Sequence, residues 1–231
     1  MKTFTIFSSR IVLIGAFFLL LVTGCKKEET LLITNNYDQY FPINPDKAII
    51  YKVDSITWND FFTPVKIDTF SYFIKFQIGE KFIDDEGRES YYYRKYYRTD
   101  TTSWEFRKNY AITKTAVRVE LLEENIRFIK MVFPINNSIQ WDMNAMNILN
   151  STNSYYSEFD EPLTLNNFNF DSTLTIIHQD LETLIGKDFH KEIYSKHTGL
   201  IMQEVVAIEK STNGSWKKGY KYVYTILSIE P

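Results

Sequence analysis

Residues 67–82 alternate between apolar and polar side chains, with only Phe73 out of phase. One face of the segment carries Phe70, Tyr72, Ile74, Phe76 and Ile78, and the other carries Ser71, Lys75 and Gln77. A period of two puts successive side chains on opposite faces of an extended backbone. The segment is therefore predicted to be a long β-strand. A strand with one apolar face is stable only within a larger sheet.

Similar strand patterns recur along most of the chain. Further strands are predicted over residues 48–57, 89–99, 102–110, 111–122, 126–133, 172–178, 190–197, 200–209 and 216–229. Residues 84–87 and 211–214 each end in a glycine, which suits a hairpin turn that needs a positive φ. Consecutive strands joined by short turns usually pair with their neighbours in sequence. The pattern predicts an antiparallel meander.

Two stretches depart from the strand pattern. Residues 179–187 place Leu181, Leu184 and Ile185 at helical spacing before Gly186, which predicts one short helix with a glycine C-cap. Residues 135–153 follow Pro134, are rich in Asn, Ser and Asp, and fit neither period. They predict a long ordered loop. Long loops of compact domains often carry function, so this loop is a candidate ligand-binding element or a lid on the sheet.

The amino-acid composition excludes several classes of protein. Of the 231 residues, 44% are hydrophobic and 16% aromatic, enough for one sizeable core. Beyond residue 24 the chain carries 24 basic and 29 acidic residues, a formal charge of −5 with no block of like charge. This balance argues against a nucleic-acid-binding surface. The single cysteine excludes an internal disulfide, so stability must come from packing.

The amino terminus has the pattern of a secretory signal. Lys2 and Arg10 precede an uncharged apolar run over residues 11–22. Its length is well below the roughly 20 residues that span a bilayer, and the charged residues 26–29 end it abruptly. A signal peptide over residues 1–24 is therefore predicted, rather than a membrane-spanning helix.

The run Val22-Thr23-Gly24-Cys25 resembles the lipobox of bacterial lipoproteins. The resemblance implies cleavage between Gly24 and Cys25, followed by attachment of diacylglycerol and a third acyl chain such as palmitate at Cys25. Two or more chains give stable anchoring. The alternative is an ordinary cleaved signal with a chance cysteine nearby. Lys27, Glu28 and Glu29 resemble the surface-export signal of Bacteroidota lipoproteins, which implies an outer-membrane location, with surface exposure preferred to a periplasmic orientation.

Two further segments resemble uncharacterised Bacteroidota lipoproteins. One is the aromatic–proline entry Tyr40-Phe41-Pro42 followed by the strand YKVDS at residues 51–55, and the other is YSKHTGLI at residues 194–201. The resemblance implies that residues 40–231 form an antiparallel β domain on a lipidated tether at residues 25–39. It also implies a curved sheet similar to the folds of lipoprotein-localisation factors.

The histidines do not form an evident metal or catalytic motif. His178, His190 and His197 are the only three, and seven residues separate the last two on one predicted strand, which would place them on opposite faces. A site with Glu192 or Asp188 can be imagined, but surface or half-buried histidines are the preferred interpretation. Ser195 and His197 have the wrong spacing for a triad, and no Gly-x-Ser-x-Gly motif occurs. No catalytic residue, metal site or cofactor is predicted.

Two clusters of side chains, one acidic and one rich in tyrosine, are candidate binding or catalytic sites. Glu158, Asp160 and Glu161 could serve glycoside hydrolysis or bind calcium, although a solvated acidic turn before Pro162 is preferred. The tyrosine-rich residues 91–97 could stack on sugars or on a partner, although cross-strand aromatic pairs are preferred.

The sequence predicts a mainly β fold: a single curved antiparallel sheet or half-barrel, with one short helix and a long covering loop. A lipocalin-like barrel and a β-sandwich remain alternatives. The predicted function is a non-catalytic cell-envelope lipoprotein that binds a hydrophobic ligand or a protein partner at the outer membrane. The alternative is an envelope or glycan hydrolase that uses the carboxylates near residues 158–161.

Overall fold

The computed structural model describes residues 39–231, except 46 and 101. The predicted signal peptide, Cys25 and the export signal Lys27, Glu28 and Glu29 lie outside the described residues. Twelve strands make up the described chain: β1 (Ala48–Asn59), β2 (Lys66–Ile83), β3 (Glu89–Arg98), β4 (Glu105–Lys114), β5 (Arg118–Glu123), β6 (Ile126–Val132), β7 (Gln140–Trp141), β8 (Ser154–Leu165), β9 (Phe168–Glu182), β10 (Gly186–Ser195), β11 (Gly199–Lys210) and β12 (Trp216–Glu230). No helix among these residues is long and apolar enough to cross a membrane.

All twelve strands belong to one antiparallel sheet, nearly closed into a barrel, in the order β6-β5-β4-β3-β2-β1-β12-β11-β10-β9-β8-β7. The order describes two six-strand meanders, β1–β6 and β7–β12. The first and last strands of the described chain join them, with Ala48 opposite Glu230. The prediction of a single curved antiparallel sheet is confirmed, and its closure brings the structure close to the barrel alternative.

The alternation of apolar residues accounts for the inner face of the sheet. Val53 of β1 lies opposite Tyr72 of β2 on one side and Tyr224 of β12 on the other. Tyr51, two residues earlier, is fully buried and donates its hydroxyl hydrogen to the carbonyl oxygen of Leu200 at 2.7 Å. Burial of one such large apolar side chain contributes about 1.5–3 kcal/mol. The strand period thus directs one face of each strand to a shared interior.

Side chains and a loop, rather than a strand ladder, close the gap between the two ends of the sheet. The amide of Ile129 in β6 donates to the carbonyl oxygen of Met143 at 2.9 Å, and Trp141 Nε1 donates to the Ile129 carbonyl oxygen at 3.0 Å. The hydroxyl of Tyr156 in β8 accepts from the amide of Val132 at 3.0 Å and donates to the carbonyl oxygen of the same residue. The predicted loop over residues 135–153 therefore lies at this seam, where it contains the short β7.

The predicted helix over residues 179–187 is wrong. These residues form the end of β9, a turn, and the start of β10, with the amide of Thr183 bonded to the Gly186 carbonyl oxygen. Leu184 and Ile185 are 91% and 75% exposed, and Leu181 is also exposed. Their helical spacing arises by coincidence at a hairpin tip, where no apolar surface covers them.

Two predicted boundaries also differ from the structure. The turn between β4 and β5 falls at residues 115–117, beyond the division at residue 110 that the sequence predicts. Thr115 caps this turn, because its hydroxyl accepts from the amides of Val117 and Arg118. The acidic segment 155–162 is part of β8 rather than a turn, although bulges interrupt it and Asp160 has a φ of 62°.

Candidate ligand cavity

A cavity of about 280 Å³ lies among the inward-facing side chains of β2–β6 and β10–β12, with the Tyr40–Phe41 segment at its wall. Aromatic rings dominate its lining: Phe41, Tyr72, Phe76, Tyr93, Tyr222 and Tyr224. The volume is close to the lower end of the roughly 300–1,000 Å³ typical of small-molecule sites. The cavity therefore fits a small ligand with substantial apolar surface.

The rings of the cavity wall pack against one another, both between neighbouring strands and along a single strand. Phe76 and Tyr93 stack with centroids 4.7 Å apart and planes 9° apart, and Tyr222 lies 5.0 Å from Tyr224. Burial raises the pKa of Tyr93 well above its ordinary value, so its hydroxyl stays protonated. The preferred interpretation of residues 91–97 as cross-strand aromatic pairs is confirmed, and Tyr93 additionally faces the cavity.

A second cavity of about 300 Å³ adjoins the first, and Phe41, Phe76, Tyr93 and Leu200 line both. The second cavity extends toward Pro42, Ile49 and the turn that contains His197. The carbonyl oxygen of Phe41 accepts a hydrogen bond from Lys114 Nζ at 2.8 Å, which holds the segment in place. The aromatic–proline entry of the domain thus contributes to the walls of both cavities, Phe41 to both and Pro42 to the second.

A polar network centred on Glu192 interrupts the aromatic lining. The Glu192 carboxylate is almost completely buried and pairs with Lys130 Nζ at 2.5 Å. Tyr194 donates its hydroxyl to Oε2 at 2.6 Å, and Gln203 Nε2 donates to Oε1 at 3.1 Å. Burial disfavours the charge of Glu192, but Lys130 and the hydrogen bonds outweigh it and hold the pKa of this carboxyl well below its usual range.

Two histidines complete the network. His178 Nε2 lies 3.0 Å from Glu192 Oε2, and His190 Nε2 lies 3.1 Å from Oε1. A bulge between β9 and β10 at His190 permits both rings to reach the same carboxylate. His178 Nδ1 lies 3.1 Å from the Ser154 hydroxyl, so both nitrogens of the buried ring have partners. Burial lowers the pKa of His178, which keeps the ring neutral.

The preferred interpretation of the histidines as surface or half-buried is wrong for His178, which has no exposed surface. The apolar neighbours in β9, Ile176 and Ile177, bring this strand segment into the core, and Glu192 and Ser154 satisfy the polar ring there. His197 is exposed in the turn after β10, with a φ of 64°. His190 lines the first cavity and His197 the second.

His178, His190 and Glu192 also have the composition of a metal-ligand set. One ligand atom from each lies within 4.8 Å of the others. In the described arrangement, however, the Lys130 ammonium contacts the same carboxylate at 2.5 Å, and both imidazoles bond to it. A metal ion would have to displace that ammonium and the hydrogen bonds. The arrangement fits a satisfied ion network better than a metal centre.

Comparisons with known proteins add little to this geometry. No protein-family model matches the chain, and no curated protein matches it. Among solved structures, the chain is similar to a candidate lipoprotein from Parabacteroides distasonis, with 10% identity and a TM-score of 0.42. The alignment covers 83% of this chain and 98% of that one. A likeness of this extent does not establish a shared fold or function.

The acidic cluster near residue 160 does not form a cleft. Glu158, Asp160 and Glu161 are all exposed on β8, and none lines either cavity. Asp160 pairs with Lys196 at 2.5 Å and accepts from the Ser172 hydroxyl at 2.5 Å. Lys196 and Ser172 together hold its pKa below the ordinary value. The opposed carboxylates that glycoside hydrolysis requires are therefore not provided by this cluster.

Acidification should destabilise the protein through His178. Unfolded histidine binds a proton near pH 6.5, whereas burial lowers the folded pKa of His178. Between these two pKa values the unfolded chain holds more protons than the folded one. Each unit by which the pH is lowered therefore reduces the free energy of unfolding by up to about 1.4 kcal/mol. The folded pKa of Glu192 is also lowered, so this residue adds to the loss of stability only when the pH falls below the usual pKa of a glutamate carboxyl.

The test is urea unfolding at pH 7, 6 and 5 for the wild type and for His178→Gln. The variant should lose most of the dependence between pH 6.5 and 5, whatever its absolute stability. His197→Gln is the control, because it removes an exposed histidine outside the Glu192 network. A wild-type stability that does not change between pH 7 and 5 would contradict the assignment.

Proposed function

We propose that this protein is a non-catalytic, lipid-anchored protein of the cell envelope that binds an amphiphilic ligand inside its curved sheet. The observation that carries the proposal is the aromatic cavity with a polar network at one side. Concave, mostly apolar sites with a few polar groups are the usual form of small-molecule sites. Among the described residues, Glu192 is engaged with Lys130 and the two histidines in a structural network of ion pairs and hydrogen bonds, rather than as an exposed nucleophile with a base.

The anchor in this proposal rests on the amino-terminal sequence. The lipobox-like run ending at Cys25 supports acylation, and Lys27, Glu28 and Glu29 support export to the outer face of the outer membrane. The tether predicted from the sequence, residues 25–39, is short, so the proposal holds the cavity close to a membrane. That location suits a ligand that partitions between lipid and protein.

The proposal is tested on the protein extracted with detergent from the cells that make it. Native mass spectrometry should show a small-molecule adduct, and membrane fractions should retain the wild type but release Cys25→Ser. Leu121→Trp, which places a large ring on the cavity wall, should remove the adduct. Leu184→Trp is the matched control, because Leu184 is 91% exposed on a hairpin tip. The ligand proposal fails if no adduct forms, or if Leu121→Trp retains it unchanged.

A further inference from the structure

Four charged side chains line the first cavity: Lys95, Lys130, Glu123 and Glu192. Lys130 and Glu192 neutralise each other at 2.5 Å within the network described above. Burial, and after it the charge of Glu123, raise the pKa of the hydroxyl of Tyr110, another residue of the cavity wall. Of the two lysines in the lining, Lys95 is the one without a carboxylate in ion-pair contact among the described residues.

Lys95 has no carboxylate within ion-pair distance among the described residues. Its ammonium instead lies 5.6 Å from the centre of the Phe76 ring and 5.8 Å from that of Tyr224. Glu123 acts on Lys95 only through its more distant charge, and burial lowers the pKa of the lysine despite it. Cation–π contacts compensate a buried ammonium less fully than a charge-assisted hydrogen bond.

The position of Lys95 within the sheet keeps its ammonium in the cavity. Lys95 lies opposite Phe76 of β2 and Lys108 of β4, and cross-strand partners share a face of the sheet. The other lysine opposite it, Lys108, pairs with Glu124. The lysine is therefore held at the wall beside aromatic rings, with donor capacity that the protein does not use.

We propose that the ligand is an anionic amphiphile, whose carboxylate or phosphate pairs with Lys95 while its apolar part lies along Phe76, Tyr93 and Leu121. The inference rests on the proposed ligand-binding function and names the chemical class of the ligand. A single anionic head group supplies the charge-assisted hydrogen bond that Lys95 lacks. Such a bond changes affinity by roughly 10–100-fold.

The experiment measures displacement of a neutral fluorescent probe, N-phenyl-1-naphthylamine, from the full chain held in amphipol. Decanoate, decyl phosphate, decan-1-ol and decyltrimethylammonium each have an unbranched ten-carbon chain, counting the carboxyl carbon of decanoate, and differ in the head group. Decanoate or decyl phosphate should displace the probe at concentrations at least about tenfold lower than decan-1-ol. The tighter of the two anions identifies the head group that the site prefers.

Lys95→Met should remove the preference for the anion while the neutral probe and decan-1-ol still bind. Lys66→Met is the matched control, because Lys66 also lies over a phenylalanine ring, at 5.7 Å from Phe62, but is exposed outside the cavity. Binding of the neutral probe to Lys95→Met reports that the cavity is still formed. A preference that persists in Lys95→Met overturns the assignment of Lys95.

The remaining outcomes distinguish the proposed anionic class of the ligand from the proposed ligand binding itself. Equal displacement by decanoate, decyl phosphate and decan-1-ol overturns the anionic class but leaves a ligand-binding cavity. Preference for decyltrimethylammonium overturns it in favour of Glu123 as the charged partner. Failure of the neutral probe and of every amphiphile to bind overturns the proposed function itself.

Discussion

Glu192→Gln is expected to lower the free energy of unfolding by about 3–5 kcal/mol. The carboxylate is buried and is the counter-ion of Lys130, so glutamine leaves a buried ammonium without compensation. It also replaces one acceptor oxygen by an NH₂ donor in a site where Tyr194 and Gln203 donate. Urea unfolding followed by intrinsic fluorescence measures the change at pH 7.

Two further variants test whether the loss of stability comes from breaking the Glu192–Lys130 ion pair or from removing any acidic side chain. Glu182→Gln removes a carboxylate that bonds Lys187 and Lys210 on the surface, where solvent screens the charges, and should change stability little. The double variant Glu192→Gln with Lys130→Met removes both charges and should be more stable than Glu192→Gln alone. If the double variant is no more stable than the single, charge compensation is not the main role of Glu192.

Gly219→Ala is expected to destabilise the protein by roughly 3 kcal/mol or more. Gly219 lies in β12 between Trp58 of β1 and Ile208 of β11, with a φ of 125°. A Cβ there would lie 2.0 Å from the carbonyl oxygen of Ala207, a backbone atom that cannot move without separating the strands. Thermal or urea unfolding measures the loss.

Gly214→Ala is the control for Gly219→Ala. Gly214 has a φ of 82° in the β11–β12 turn, and no atom lies within 4 Å of the Cβ that alanine would add. Gly214→Ala should lower the free energy of unfolding only by the strain of a left-handed backbone, about 1–2 kcal/mol. The difference between the two variants therefore isolates the clash, and equal losses would show that β11 and β12 can move apart.

Local periodicity was sufficient for most strands but not for the hairpin tips. The alternation in β2 predicted both its extent and its inner face, because Ile74 and Phe76 are buried as that pattern requires. The failure at residues 179–187 has a physical origin. Leu181, Leu184 and Ile185 have helical spacing, but the pairing of β9 with β10 satisfies the backbone there and leaves the side chains in solvent.

The cavity could not be predicted from local sequence because non-local pairing assembles it. Lys130 and Glu192 are 62 residues apart in the chain and belong to different meanders. The histidine inside the apolar run of β9 is the local sign of a buried polar site, but nothing in the local sequence marks Glu192, 14 residues away, as its partner. The period of two places Lys95 on the same face of β3 as Tyr91 and Tyr93, but both faces of this strand mix polar and apolar side chains, so the pattern does not identify the buried face.

The junction between β1 and β12 constrains when the protein can fold. Each meander can form as it emerges, because its strands pair with neighbours in sequence. The joint between the halves, however, pairs Ala48 with Glu230 and so needs the last strand of the chain. Until β12 pairs with them, β1 and β11 each expose an unpaired strand edge that can pair with other chains and aggregate. Pairing of β12, the last of the described strands, therefore covers the exposed edges of both half-sheets at once.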